Sequence, residues 1–376
     1  MKQTLVVGLA AAALLATAQN ASAQGCVLIR ESAPLFGSAS STYLRPGEWE
    51  LDVSFRDSTA DKHYSLDVEQ TNRATAGTYV INKQKQMLFS VSQAVTTRFS
   101  YAVNVPIVVA SWSIPSPTSA PIGPRATQHG DGLGDVSVLG RYWVFDPAAH
   151  SSRNLAVGLG FKAPTGASDQ TDTFVNITGL NSSVKAVDQS VQPGDGGWGL
   201  QLELQGFSTV GPAFVFGSAD YLANPRNVND TASILVGLGV PSTTAPLRNV
   251  NSVPDQYVTR LGAGIPVWRG FSVSETWRTE GVPRYDIIGR ADGFRRPGTE
   301  MFMETAVTYS RGKSTFAFNV PRAFYRYRAP DPYTGANGDA TFPDWMAIGS
   351  YSYRFGSAKH NATPAMPVTP GTRQDG

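Results

Sequence analysis

The residues able to do chemistry in this 376-residue chain are few and scattered. His63-Tyr64-Ser65 places an imidazole and a hydroxyl two positions apart, the residue types of a base–nucleophile pair. Such a pair needs an amide to orient the imidazole, and no Asn-Gly follows here as an outer-membrane phospholipase would require. The stretch reads as a long loop, so His63 is expected to be a polar loop residue and Ser65 no nucleophile. His129, His150 and His360 fall in loops, a turn and the tail. Four scattered histidines and one cysteine give no metal-ligand spacing, and no G-x-x-x-x-G-K-[ST] phosphate cradle occurs. Neither enzyme chemistry, a metal nor a cofactor is expected. A net charge of +2 gives no hint of nucleic-acid binding. The lone Cys26 excludes an intramolecular disulfide and reads as a free thiol rather than a lipidation site.

What remains is charge. Glu48, Glu50, Asp52, Asp135, Arg141, Lys162, Glu203, Arg260, Glu304, Arg322 and Arg354 each lie in or beside a segment of alternating apolar and polar residues. All are read as pointing away from the apolar side. Burying that many ions in a dry core costs several kcal/mol each unless every one is paired. A wet lumen removes the difficulty. Inside it they either form a salt-bridge network that plugs or stiffens the wall, or line a channel and set its selectivity.

The elements that must position them are β-strands. In Trp49-Glu50-Leu51-Asp52-Val53-Ser54-Phe55-Arg56 the two-residue period puts Trp, Leu, Val and Phe on one face and the ions on the other. About twelve such segments follow one another, each near the 9–11 residues that a tilted strand needs to cross a bilayer. Val95 to Arg98, Asp146 to Ser152, Thr209 to Gly211, Pro266 to Gly270 and Arg311 to Lys313 read as tight turns. Between them lie long loops: Asp57 to Lys83, Ala110 to Gly134, Pro164 to Gly197, Ala223 to Asp255, Gly281 to Thr299 and Tyr325 to Asp344. Strict short–long alternation predicts a transmembrane antiparallel β-barrel with short periplasmic turns and long extracellular loops. Ser233 to Val240 and His63 to Glu69 would raise the count to fourteen if each were part of a further crossing; loop hairpins are preferred. Low mean hydropathy is no obstacle, since a barrel strand offers lipid only every second residue, and 14 Tyr, 18 Phe and 7 Trp suit aromatic interface belts.

Residues 1–23 read as a secretory signal: Lys2, an apolar run from Val6 to Ala18, and Ala21-Ser22-Ala23 as the cleavage site. Residues 24–46 are then a periplasmic segment able to enter the lumen as a plug, 47–355 the barrel, and 356–376 a disordered tail. The closing strand ends Tyr351, Tyr353, Phe355, resembling the signal that the barrel-assembly machinery recognises.

Gly130-Asp131-Gly132-Leu133-Gly134-Asp135 enters a strand ending Arg141-Tyr142-Trp143, and Gly160-Phe161-Lys162-Ala163-Pro164-Thr165-Gly166 leaves the next. With Gln192-Pro193-Gly194-Asp195-Gly196-Gly197-Trp198 these motifs resemble the outer-membrane transporters of the "MetA-pathway of phenol degradation" family. The resemblance implies a barrel in the cell outer membrane, among lipid and lipopolysaccharide, passing small and in part aromatic molecules. On the residues alone, Asp131, Gly132, Gly134, Pro164, Gly166 and Asp195 are strand-rim motifs: the glycines let the chain bend and the aspartates cap turns. The rival reading is that rim aspartates hold Ca²⁺ with lipopolysaccharide phosphates. The expected function is passive passage of a small solute; the alternative is a non-conducting structural or adhesion barrel working through its extracellular loops.

Overall fold

The computed structural model describes residues 43–119 and 121–356. The expected signal peptide, Cys26, residues 24–42, His360 and the tail beyond Gly356 lie outside the described residues.

Period-two alternation becomes strand almost throughout. The first half of the chain gives β1 (Trp49–Ser65), β2 (Val68–Glu69), β3 (Ile81–Ala94), β4 (Phe99–Pro115), β5 (Arg125–Leu133), β6 (Ser137–Trp143), β7 (Arg153–Lys162), β8 (Thr171–Val175) and β9 (Ser182–Ala186). The second half gives β10 (Gly199–Val210), β11 (Ala213–Ala223), β12 (Val228–Ala232), β13 (Val250–Ser252), β14 (Gln256–Trp268), β15 (Phe271–Val282), β16 (Gly298–Arg311), β17 (Ser314–Arg328) and β18 (Ala340–Phe355). Neighbours pair antiparallel in the order β1-β3-β4-β6-β7-β10-β11-β14-β15-β16-β17-β18. β18 then pairs with β1, from Trp49 against Phe355 to Tyr64 against Ala340. Twelve strands therefore close a barrel, and β2 only folds back on the tip of β1.

One crossing is built in two pieces. β4 pairs with β6 from Phe99 against Tyr142 to Asn104 against Ser137, and with β5 from Ile107 against Leu133 to Pro115 against Arg125. β6 continues the wall into β7, whereas β7 ends at Lys162 opposite Ser137. Above that level β5 has no strand of the barrel on its far edge.

The alternation sorts side chains as hydrophobic energetics requires of a wall between lipid and water. Outward residues are apolar and exposed: Leu261 is 66 % accessible, Phe161 59 % and Trp277 50 %. Inward residues of the barrel strands are buried and polar: Asp52, Gln84, Gln201, Glu203, Arg260, Arg278 and Glu304. Aromatic rings gather near the short turns, where Trp49 stacks on Phe355 and the rings of Phe271 and Tyr309, and of Phe316 and Tyr351, meet at a tilt. Rings at that level mark a membrane–water interface. The tight turns need left-handed backbone, which Gly211 (φ 59°) and Gly312 (φ 61°) supply without a Cβ penalty.

Three sequence expectations change. Strands run higher than expected on the extracellular side: β1 reaches Ser65, and the expected loop from Ala110 to Gly134 is largely a β4–β5 hairpin. Ser233 to Val240 is no hairpin; Ile234–Gly237 forms a short helix. An apolar run of that length has no period that separates strand from helix. Arg322, expected inside, lies on the exposed outer wall, where it registers with Met303 and Trp345. Its parity in β17 is that of Phe316, Phe318 and Phe324.

Candidate functional site

The candidate site is the lumen, and its groups are set by strand parity. At the periplasmic end Arg354 donates through Nε to Glu50 at 2.6 Å, and Ser352 donates its hydroxyl to Asp52 at 2.6 Å. Higher up, Arg141 forms a two-pronged pair with Glu203, at 2.5 and 2.7 Å. On the opposite wall Arg278 is held by Glu280 and lies 3.5 Å from Glu304, which also accepts from Asn319 Nδ2 at 2.6 Å. Arg260 faces Asp220, Glu280 and Glu304, and its Nε has no hydrogen-bond partner among the described residues. Glu48 sits lower, accepting from the Arg45 backbone in the turn that leads into β1. Of the ten expected lumen residues besides Arg322, nine point inward and Glu48 closes a turn. Arg354 with Glu50, Arg141 with Glu203 and Arg278 with Glu280 are thus ordered as pairs, whose orientation Arg–carboxylate geometry fixes tightly.

The three glycine-rich motifs converge at the break between β5 and β6. Lys162 Nζ reaches Asp135 at 3.1 Å and also contacts Asp195, all three side chains being buried. Asp135 further accepts from the backbone N–H groups of Gly166 and Asp195, at 3.0 and 3.1 Å. Thr165 Oγ1 accepts from Val136 N and donates to Gly134 O, each at 2.8 Å. A Cβ on Gly194 would lie 2.4 Å from Gly166 O, so two backbones meet where no side chain fits. Asp135 and Asp195 hold a lysine and backbone amides, a fuller role than the turn caps expected. Asp131 uses its backbone: its N–H and C=O exchange hydrogen bonds with the Gln170 side chain, stitching β5 to the loop that follows β7. Gly132 (φ 139°) and Pro164 flank this knot.

An inward-folded loop crosses the mouth without any periodic pattern to announce it. Residues 187–197 leave the β7–β10 side of the rim and fold inward. Ser190 Oγ accepts from Asn82 and Ser190 O from Gln84, both on the inner face of β3. Asp188 N donates to Gln128 of β5 at 2.8 Å, while its carboxylate is gripped by Arg296, just before β16. β3 and β16 each lie four strands from β10, in opposite directions round the barrel. A segment bonded to both spans the mouth. Above it sits a dry cluster of Trp112, Ile114, Phe174, Val187, Val191, Ile234, Leu235, Leu238 and Phe294. The inner face of β4 thus changes from Ala102 and Asn104 to Val108, Trp112 and Ile114 where it meets this cap.

Contacts also reach across the opposite opening. Tyr43 donates its hydroxyl to His150 O at 2.7 Å and accepts from Asn154 at 2.9 Å. Its ring packs edge-on against Trp143 and Phe207, with centroids 4.9 and 5.6 Å away. Those partners are on or beside β6, β7 and β10, so residues 43–48 reach across the floor before β1 begins.

The His63–Ser65 pair does not assemble. His63 Nδ1 meets Asp339 at 3.1 Å, and its Nε2 accepts the Val80 N–H at 2.8 Å. Both nitrogens tie the top of β1 to neighbouring loops, and neither serves Ser65. Burial would raise the Asp339 carboxyl, but the His63 hydrogen bond and the Arg73 guanidinium hold it below its ordinary value.

No protein-family model matches the sequence, and no curated protein matches it. Among solved structures, the COG4313 outer membrane channel of Pseudomonas putida F1 is similar at 13 % identity and TM-score 0.56, over 86 % of this chain and all of that one. The toluene transporter TbuX of Ralstonia pickettii gives 12 % and 0.41, over 89 % and 99 %. A FadL homologue of Pseudomonas aeruginosa gives 9 % and 0.39, over 82 % and 90 %. The first of these likenesses extends to the fold.

Proposed function

We propose that the chain is an outer-membrane channel for passive passage of small solutes. One observation carries this reading: a closed twelve-strand barrel whose outer wall is apolar and whose inner wall is ionic, narrowed by a segment folded inward from the rim. Ions so numerous belong beside water, and an inward loop is the means by which a wide barrel is made selective. A member of the MetA-pathway phenol-degradation group, with small aromatic compounds among its solutes, is the finer form of the proposal. It rests on the motifs that meet at Lys162 and on the fold of the Pseudomonas channel. In the same reading, residues 1–23 are removed on export, the barrel-assembly machinery inserts residues 47–355 among lipid and lipopolysaccharide, and the segment before β1 partly plugs the floor.

The rival, a barrel that conducts nothing and acts through its loops, draws support from the dry cap in the mouth. Purified protein in a planar bilayer separates the two. Channel function requires discrete KCl conductance steps, and liposomes that swell in small neutral solutes; verified insertion with no current would overturn it.

A further inference from the structure

Arg322 is not an isolated charge on the outer wall. It registers with Trp345 of β18, which falls in the bulge opposite Thr59 of β1, and Thr59 registers with Lys83 of β3. In the other direction the same row runs through Met303, Trp277 and Leu261. Half of the row is thus basic and aromatic, and the other half is greasy. Lys85 points outward one step below Lys83, and Lys83, Lys85, Trp345 and Arg322 are all exposed.

Their height is set by the turns beneath them. Arg322 stands eight residues above Ser314, the foot of β17, which is about 26 Å along a strand and about 20 Å along the membrane normal at the usual tilt. An apolar band roughly 25 Å tall therefore brings Arg322 close to its upper edge. Lys85 stands nine residues above Ala94, the foot of β3, and Lys83 is two residues higher. At that level a long basic side chain keeps its stem on carbon and lifts its charge among the headgroups.

None of the three cations has an ion-pair partner among the described residues. Asp344, beside Trp345, is held by Arg326 at 2.6 Å, with Lys62 3.9 Å away. Asp57, the lateral neighbour of Lys85, offsets one charge, so three cations less one carboxylate leave this sector at +2. Arg322 and Lys83 lie three strands apart, about 14 Å at a strand spacing of ~4.8 Å. Two basic centres so separated, with an indole between them, suit an amphiphile carrying an anion at each end of a sugar headgroup. A lipid with a single phosphate can engage only one of them.

We propose that the upper outer wall of β17, β18, β1 and β3 binds one lipopolysaccharide molecule. Arg322 holds one lipid A phosphate, Lys83 with Lys85 holds the other, and Trp345 lies under the disaccharide. The acyl chains run down over Val320, Phe318 and Met87, which face outward below the cations. The inference rests on the outer-membrane barrel and not on conduction.

The test is native mass spectrometry of the full chain refolded in lipid-free detergent, titrated with diphosphoryl lipid A, monophosphoryl lipid A and phosphatidylglycerol. One diphosphoryl lipid A should bind per barrel. Arg322→Gln, and Lys83→Gln with Lys85→Gln, should each raise its Kd about tenfold, the effect of losing one hydrogen bond to a charged group. Lys313→Gln, the same charge change at a periplasmic turn, should leave it unaltered. Monophosphoryl lipid A should bind more weakly and ignore one of the two changes, since the arm facing the missing phosphate has nothing to lose. The substituted side chains are exposed, and the two arms are separate, so either variant that passes the heat-shift assay for folded barrels decides the matter. Absence of a lipid A adduct, phosphatidylglycerol bound as tightly, affinity untouched in the folded variants, or an equal loss in Lys313→Gln overturns the site.

Discussion

Asp188 and Arg296 lie 108 positions apart in the chain, are both almost fully buried, and fasten the inward segment to the far wall. Removing one partner strands a buried charge, so Arg296→Met should destabilise the barrel by about 3–5 kcal/mol, read as a lower midpoint in detergent unfolding. The double replacement Asp188→Leu with Arg296→Met should recover most of that stability and leave a larger single-channel conductance. Asp339 responds to acid. Its folded carboxyl titrates below the ordinary value, so its contribution is present above pH ~4 and disappears as pH falls through the lowered value. Limited proteolysis of the loops at pH 5 and pH 3 should show loosening in the native protein and a smaller difference in Asp339→Asn. At this scale the sequence was only partly legible. Glu50, Asp52, Arg141 and Glu203 could be assigned inward because parity fixes direction. Arg322 could not be placed by its charge, because a long basic side chain near a membrane surface reaches water from the outer wall as well. Asp188 and Arg296 left no sign, since no periodic pattern links two loop residues brought together only by the closed barrel.

Strand rhythm and tight turns were legible because period two and left-handed glycines are local properties. The upper strand ends were not, because β-pairing above the membrane needs no apolar alternation. The knot at the β5–β6 break belongs to the same scale: its three motifs could be seen as glycine-rich rims, but not as one site. Two backbones cross there at Gly194 and Gly166. Gly194→Ala should push them apart, expose Lys162, and lower the unfolding midpoint clearly more than an alanine at the open Gly349, where no atom would meet the new Cβ. Tyr43 supplies the floor, held by two hydrogen bonds and two rings. Tyr43→Ala should raise KCl conductance severalfold in bilayer recordings while leaving the heat-shift of the folded barrel unchanged.

Across the whole molecule, the inward charges of the barrel strands nearly balance: Glu50, Asp52, Glu203, Asp220, Glu280, Glu300 and Glu304 face Arg56, Arg141, Lys162, Arg260, Arg278, Arg326, Arg328 and Arg354. Little discrimination between K⁺ and Cl⁻ should follow, seen as a reversal potential near zero in a KCl gradient, and Arg260→Ala should shift it towards cation preference. The asymmetry of long and short connections made the architecture readable before any contact was known. The seam between β1 and β18 was a consequence of that reading, and it carries one of its own. The first strand's lifelong partner is the last to emerge during synthesis, some 300 positions later at Asp52 and Ser352. Until then one strand edge lies bare, able to pair with any other chain it meets. Contacts of such separation form slowly, so a late stop codon should leave an open, sticky ribbon that proteases clear.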